Sequence, residues 1–418
     1  MVDDLLGVAK CGHESLALNT FINTQIELKK LQFHTTDKNG KSKCNVMHVG
    51  KPSAVCPQLK VHGTNMHTIS KSTYLGDIVS ADSKNDLNIQ SRVAKGIGNI
   101  TRVMNILDKV TLGSHYFKTA LLLRESLFLS ALLTNAESWH GITASQINQL
   151  ESIDKLLLRK ILKTPISTPT EAMYLELGIP RIGTIIKARR INFLHYILNR
   201  KESEMISQVF KVQWNQPSKN DWALLVKQDL VDLEIDMNLS NIKNKSEWSF
   251  KNFVKKKVHE YEFKQQIRRK ETHTKLDNLW YPRLEMQNYL KLDNLNNSQA
   301  QTLFRYRVRM AKFGENFREK KISVECPLCF KHRDSQQMSF ENCSVLKKNV
   351  KISGNYQQIF NSSVPIDTVK SLVQIDKFRD ENCEILSHNV RPTAPDNTPI
   401  ILGASDNDHV LLSELLIK

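Results

Sequence analysis

The sequence predicts an α+β fold that is mostly α-helical, and three observations carry that prediction. From about residue 84 onward apolar residues recur three or four apart, as in Ile147, Leu150, Ile153, Leu157 and Ile161, which is the spacing of one helix face. Short apolar runs bounded by turn residues, the pattern of strands, are confined to residues 1–82. With 40% apolar residues and only 15 Gly and 12 Pro among 418, the chain can bury real cores, which excludes a largely disordered or collagen-like protein. At roughly 100–200 residues per domain the length implies two to four domains.

The opening, Met1–Val8, reads as a strand and turn around the acidic pair Asp3-Asp4. Leu18, Ile22 and Ile26 then follow at helical spacing up to Lys29-Lys30. Asn39-Gly40 within Asp37–Lys43 marks a turn before a short strand, Val46–Val49. Leu59-Lys60-Val61 and Tyr74–Val79, on either side of Gly63-Thr64-Asn65, read as two strands joined by a loop. Helices are expected over 84–108, 115–137 and 144–163. Thr143 with Gln146, and Thr168 with Pro169 and Glu171, each fit a capping box, and Gly178 with Pro180 stops the short second helix. Residues 181–275 continue as helix with polar breaks near Trp214–Trp222 and Asn238–Ser246. Residues 389–409, rich in Asn, Asp and Pro, read as a poorly ordered tail. There is no repeat of 20–50 residues.

Charge narrows the partners. The chain has 59 Lys+Arg against 43 Asp+Glu, a net charge of +16, which favours nucleic acid or an acidic membrane surface. Residues 251–275 hold nine Lys or Arg, including Lys255, Lys256, Lys257, Arg268 and Arg269, and residues 305–321 hold seven, including Arg305, Arg307 and Arg309. Phe253, Tyr261, Phe263, Phe304, Tyr306 and Phe313 are interleaved with them, the mixture expected where phosphates are contacted and bases stacked. No apolar run approaches the roughly 20 residues of a bilayer span, and acidic Asp3 and Asp4 stand where a signal peptide needs basic residues, so a nuclear or cytoplasmic protein with no membrane partner is expected.

Seven Cys are too sparse for a disulfide framework. Cys326-Pro-Leu-Cys329 with His332 and Cys343 instead has the composition of a tetrahedral Zn²⁺ site, two sulfurs meeting one ion at a tight turn. The ten residues between His332 and Cys343 exceed the spacing of a compact zinc knuckle, which leaves Cys383 or His388 open as the fourth ligand. Adjacent carboxylates at Asp3-Asp4, on a strand–turn tip, suit divalent metal and phosphoryl transfer.

These motifs together resemble a known family. Val2-Asp3-Asp4-Leu5-Leu6-Gly7, Leu28-Lys29-Lys30-Leu31, Lys43–Lys51 and Tyr74-Leu75-Gly76-Asp77-Ile78 follow the order of the end of the palm in a reverse transcriptase of the non-LTR retrotransposon kind. The resemblance implies an RNA-directed DNA polymerase acting on an RNA template and a DNA primer or target. Asp3 and Asp4 would hold Mg²⁺, which activates the primer 3′-hydroxyl and stabilises the departing pyrophosphate. Lys29 or Lys30 would be the lysine that protonates that pyrophosphate, and Tyr74-Leu75-Gly76 the hairpin gripping the primer. Met1 replaces the family's usual aromatic residue, and the family's first metal-binding Asp would precede it. The expectation is therefore a C-terminal fragment, inactive alone, of a larger enzyme.

Residues 83–200 resemble the family's helical thumb and the segment after it, in Lys95–Gly98, Leu158–Leu162, Ser167–Gly178 and Arg189–Tyr196. A bundle of this kind offers Lys95, Arg102, Arg159, Lys160, Arg189 and Arg190 to the phosphates of a template–primer duplex. Residues 1–82 would then be the palm remnant, 201–322 a basic helical connector, 323–388 the zinc-stabilised module and 389–418 the tail. Cys326–Cys343, with Asp334-Ser335-Gln336 beside it, resembles the Cys-Cys-His-Cys element after the polymerase in site-specific members. Pro395-Asp396 lacks the Asp/Glu-x-Lys partner of the endonuclease some members carry, so no nuclease is expected. A non-catalytic nucleic-acid-binding protein derived from such an element is the alternative; an unrelated basic scaffold would bind no nucleic acid.

Overall fold

The computed structural model describes residues 12–28, 44–49, 58–61, 63–110, 113–219, 221–316, 325–361 and 363–382. Asp3, Asp4, Lys29, Lys30, the Asp37–Lys43 turn, Cys383, His388 and the 389–409 tail lie outside the described residues.

The fold is mostly helical with a small β contribution at its start. Helix α1 (Gly12–Leu28) is tied to the first hairpin by Asn23, whose side chain donates to the Lys60 carbonyl at 2.9 Å. Strand β1 (Asn45–Val46) pairs in parallel with β4 (His67–Thr68), and β2 (Lys60–Val61) pairs antiparallel with β3 (Thr64–Asn65). The last hairpin joins β5 (Lys71–Tyr74) to β6 (Asp77–Ser80). The expected pairing of 59–61 with 74–79 is thus corrected. Each segment folds on itself, because Gly63 (φ +74°) and Leu75-Gly76 (φ +48° and +89°) reverse the chain locally.

The helices follow their predicted spans closely. Helix α2 (Asp86–Leu107) packs on α3 (Gly113–Leu123), which continues through a π-helical turn, Arg124–Leu129, into α4 (Ser130–Leu132). The capping box of α5 (Ala144–Leu162) forms as read: the Gln146 amide donates to the Thr143 hydroxyl at 3.2 Å and the Thr143 amide to the Gln146 side chain at 3.0 Å. The second box does not form. Helix α6 (Thr170–Leu177) is capped by Pro169 without a side-chain bond, because the Thr168 hydroxyl meets that of Thr164 and Glu171 is taken by Arg181 and His273. The stop at Gly178 holds: its φ is +66°, and a Cβ there would lie 2.1 Å from the Glu285–Met286 backbone, so only glycine fits.

Helices α7 (Ile182–Leu198), α8 (Met205–Asn215), α9 (Trp222–Asp232) and α11 (Glu247–Lys270) fill the next stretch. The second predicted break holds a short helix, α10 (Leu239–Lys243), and a further break at 199–204 was not signalled by the sequence. Helices α12 (Asn297–Arg307), α13 (Gln336–Glu341), α14 (Ser344–Asn349) and α15 (Ile366–Asn382) follow among the described residues.

Two cores organise these elements. The first collects Phe117, Phe128, Leu157 and Tyr174 with Leu303, Phe304, Phe340 and Leu372, so the cysteine-bearing region shares the core of the α2–α6 bundle rather than forming one of its own. The second is built by α7–α11 around Leu194, Trp222, Val226, Leu230 and Phe250. Helix α11 serves both: Phe250, Val254 and Val258 enter the second core, and Phe263 and Ile267 pack on the first. Among the described residues no helix is long and apolar enough to cross a membrane.

Candidate nucleic-acid interface and thiol metal centre

The Tyr74-Leu75-Gly76 segment forms the tip of the β5–β6 hairpin. Leu75 takes a left-handed backbone that a branched side chain adopts at a cost of about 1–3 kcal/mol, and its side chain is 70% exposed. Neighbouring groups fix this conformation. Buried Arg92 of α2 donates from Nη2 to the Gly76 carbonyl at 2.8 Å and to the Asp77 carboxylate at 2.6 Å. From the other side the Asn135 side chain donates to the Leu75 carbonyl at 3.2 Å and to Asp77 at 2.8 Å. The hairpin tip is therefore strapped to the helical bundle at two points, with Tyr74 half-buried beside them. Arg92 and Asn135 were not singled out in the sequence; their only signal was two polar residues inside helical segments.

The basic residues divide into two groups. Lys95 and Arg102 stand exposed on α2, seven apart and so on one face. Lys160 is exposed at the end of α5, and Lys255, Lys256, Arg268 and Arg269 are exposed along α11, with Lys257 half-buried. Lys256 lies 3.9 Å from Glu260, whereas Lys255, Arg268 and Arg269 have no ion-pair partner among the described residues. These side chains can meet phosphates.

Others cannot. Arg190 is buried and forks onto Asp229 at 2.6 and 2.9 Å; Arg307 is buried against Glu176 at 3.2 Å and donates to the Ile359 and Asn361 carbonyls. Both are corrected from phosphate contacts to internal ties, since losing one partner of such a pair leaves an uncompensated charge at a cost of about 3–5 kcal/mol. Arg305 is held by Asp376 at 3.3 Å, and Arg189 donates to the Leu133 carbonyl at 2.5 Å. Arg159 and Arg189 are half-buried, and burial lowers the pKa of each guanidinium. Arg309 is half-buried with a left-handed backbone, φ +52°. The aromatic residues interleaved with this stretch are core as well: Phe304, Tyr306 and Phe313 are all buried.

The thiols converge. The sulfurs of Cys326, Cys329 and Cys343 lie within 4.8 Å of one another, and those of Cys326 and Cys343 are 3.9 Å apart. That is far longer than a disulfide and close to the edge, about 3.8 Å, of a tetrahedron built on Zn–S bonds of about 2.3 Å. A tight turn gathers them: the Cys326 amide donates to the His332 carbonyl at 2.7 Å, the Phe330 amide to the Cys326 carbonyl at 2.9 Å, and Phe330 sits at φ +53°. Cys343 arrives from the start of α14. Burial pushes its thiol up to about 11, whereas at Cys329 burial is outweighed by hydrogen bonds from the Lys331 backbone and the neighbouring thiol of Cys326, which lower the pKa. The three cysteines can hold a metal ion. The His332 imidazole is not among the convergent groups; that residue contributes its carbonyl to the turn instead.

Asp334-Ser335-Gln336 anchors this turn to the bundle. Asp334 is buried, accepts from the Gly314 amide at 2.7 Å and pairs with Arg379 of α15 at 3.0 Å. Ser335 caps α13 through the Met338 amide, and buried Gln336 donates to the Tyr306 carbonyl and the Tyr356 hydroxyl. No protein family, no curated protein and no solved structure matches the chain.

Proposed function

We propose that the chain is part of an RNA-directed DNA polymerase of the non-LTR retrotransposon kind, binding an RNA template with its DNA primer or target. The observation that carries this reading is the strained Tyr74-Leu75-Gly76 tip, held by Arg92 and Asn135 against a helical bundle. A rigid, exposed hairpin beside a thumb-like bundle is what gripping a primer end requires, because the end must be positioned rather than merely attracted. The exposed cations of α2 and α11 would supply sequence-independent affinity for phosphates. The three-thiol turn, loaded with Zn²⁺, would fix the geometry of the region after the bundle.

The test uses a primer–template duplex with a photoreactive base at the primer 3′ end. The expected result is affinity that falls steeply with salt, together with crosslinking at residues 74–76. Binding without crosslinking there favours the non-catalytic alternative, in which the charge is retained without the grip. No salt-dependent binding at all overturns both.

A further inference from the structure

Between residues 278–288 and the short helical turn Tyr356–Phe360 lies a surface cavity of about 820 Å³, within the range of about 300–1,000 Å³ typical of small-ligand sites. Its chemistry departs from that of the rest of this basic chain. Among the described residues no lysine lines it, and the one arginine, Arg283, is held by Glu285 at 2.8 Å. Five carboxamides line it instead, from Asn278, Gln287, Asn288, Gln357 and Asn361. The Gln287 side chain donates to the Glu285 carbonyl at 3.3 Å; the other four have no side-chain hydrogen bond among the described residues.

Trp280 stands beside them, 77% exposed, although Leu279 and Tyr281 on either side are buried. The fold imposes this. The Tyr281 hydroxyl donates to Glu176 at 2.8 Å and Leu279 enters the first core, which leaves the intervening indole turned outward. The walls are firm, because Met286 bridges to Leu177, Gly178 presses on the Glu285–Met286 backbone, and Arg307 ties the carbonyls of Ile359 and Asn361 from beneath.

We propose that this cavity takes an unpaired nucleobase, stacked on Trp280 and read along its edge by the free carboxamides. A phosphate would find one guanidinium there, Arg283, already paired with Glu285, whose carboxylate would oppose it. A purely apolar ligand would strip water from several carboxamides and give them no partner, which costs about 1–3 kcal/mol for each buried group. A nucleobase satisfies both demands: it is uncharged, has a flat face for an indole, and alternates donors and acceptors that a carboxamide matches. The proposal rests on the nucleic-acid reading above and refines it, dividing phosphate attraction on α2 and α11 from base selection here.

The test measures the full chain against labelled single strands of equal length: oligoadenylate, oligouridylate and an abasic strand. Trp280→Ala is expected to weaken the base-bearing strands about ten-fold or more while leaving the abasic strand and the primer–template duplex unchanged. Trp280→Phe should retain most of the affinity, and Gln357→Ala with Asn361→Ala should alter the ratio of oligoadenylate to oligouridylate affinity. An equal loss on abasic and base-bearing strands, or no loss on either, overturns the proposal. Failure of the unaltered protein to bind the duplex in a salt-dependent way defeats the underlying reading, and is seen before any variant is made.

Discussion

Replacing Arg92 with methionine should release the hairpin tip while leaving the bundle intact. Methionine keeps much of the aliphatic stem in the core and removes the guanidinium that bonds Gly76 at 2.8 Å and Asp77 at 2.6 Å. A hydrogen bond to a charged group contributes about 1.5–3 kcal/mol, and breaking a fully buried ion pair costs about 3–5 kcal/mol. Asp77 is 20% exposed and keeps its bond from Asn135, so its carboxylate can recover water and the loss belongs at the lower end, about 2–3 kcal/mol. The core contacts of α2 through Ile89, Ile100 and Val103 are untouched, so the effect should be local. Hydrogen exchange of the amides of β5 and β6 should accelerate about 30- to 150-fold, with exchange in α5 unchanged. Asn135→Gly, which suits the φ of +59° at that position and removes the second strap, should add to the effect. Unaltered protection of the hairpin would refute the clamp. Equal losses in hairpin and α5 would show that Arg92 supports the core as a whole.

Neutralising Lys255, Arg268 and Arg269 together should lower the slope of log affinity against log salt on a duplex by about two to three, since each phosphate contact contributes about 0.7–0.9; an unchanged slope would remove α11 from the interface. Serine at Cys326 and Cys329 should abolish stoichiometric zinc measured by elemental analysis, whereas His332→Ala should not, because its imidazole is outside the thiol cluster. Burial raises the pKa of Glu151 above 4.5 and of Asp376 above 3.8, so the folded state holds these protons more tightly than the unfolded chain. Their contribution is full below those ordinary values and is lost as pH rises through the raised ones. Denaturation midpoints of the wild type relative to the Glu151→Gln, Asp376→Asn variant should therefore fall with rising pH just above the ordinary carboxylate range, and a flat or rising difference would contradict the assignment.

Helix spans were legible because their evidence is local: the spacing of Ile147, Leu150 and Ile153, and the reciprocal pair Thr143 and Gln146, need no distant partner. Thr168 and Glu171 have the same local pattern and fail, since Arg181 and His273 compete for the glutamate. The basic residues show the same limit. Arg189 and Arg190 are neighbours in sequence, yet one helical step of about 100° puts Arg190 inside against Asp229, 39 residues away. Arg307 meets Glu176 across 131 residues, which no window of sequence contains. The three convergent thiols were readable from Cys-x2-Cys and Cys343, but whether an imidazole faces them depends on the turn, and there His332 supplies its carbonyl.

The π-helical turn at Arg124–Leu129 sets a rule about length rather than identity. A π turn carries an additional residue relative to an α-helix, and that residue sets the phase between α3 before it and α4 after it. Glu125 is exposed there and should accept substitution freely, whereas Arg124, bonded twice to Asp154 at 2.7 Å, and Phe128 in the core fix the register on either side. Deleting the exposed Glu125 would remove that extra residue and close a regular α-helix with both flanks near their present phase, whereas deleting a residue within α3 or α5 would rotate one flank by about 100° away from its partners. In a library of variants this segment should therefore tolerate exchanges at its outward positions and accept a single-codon deletion better than the regular helices on either side of it.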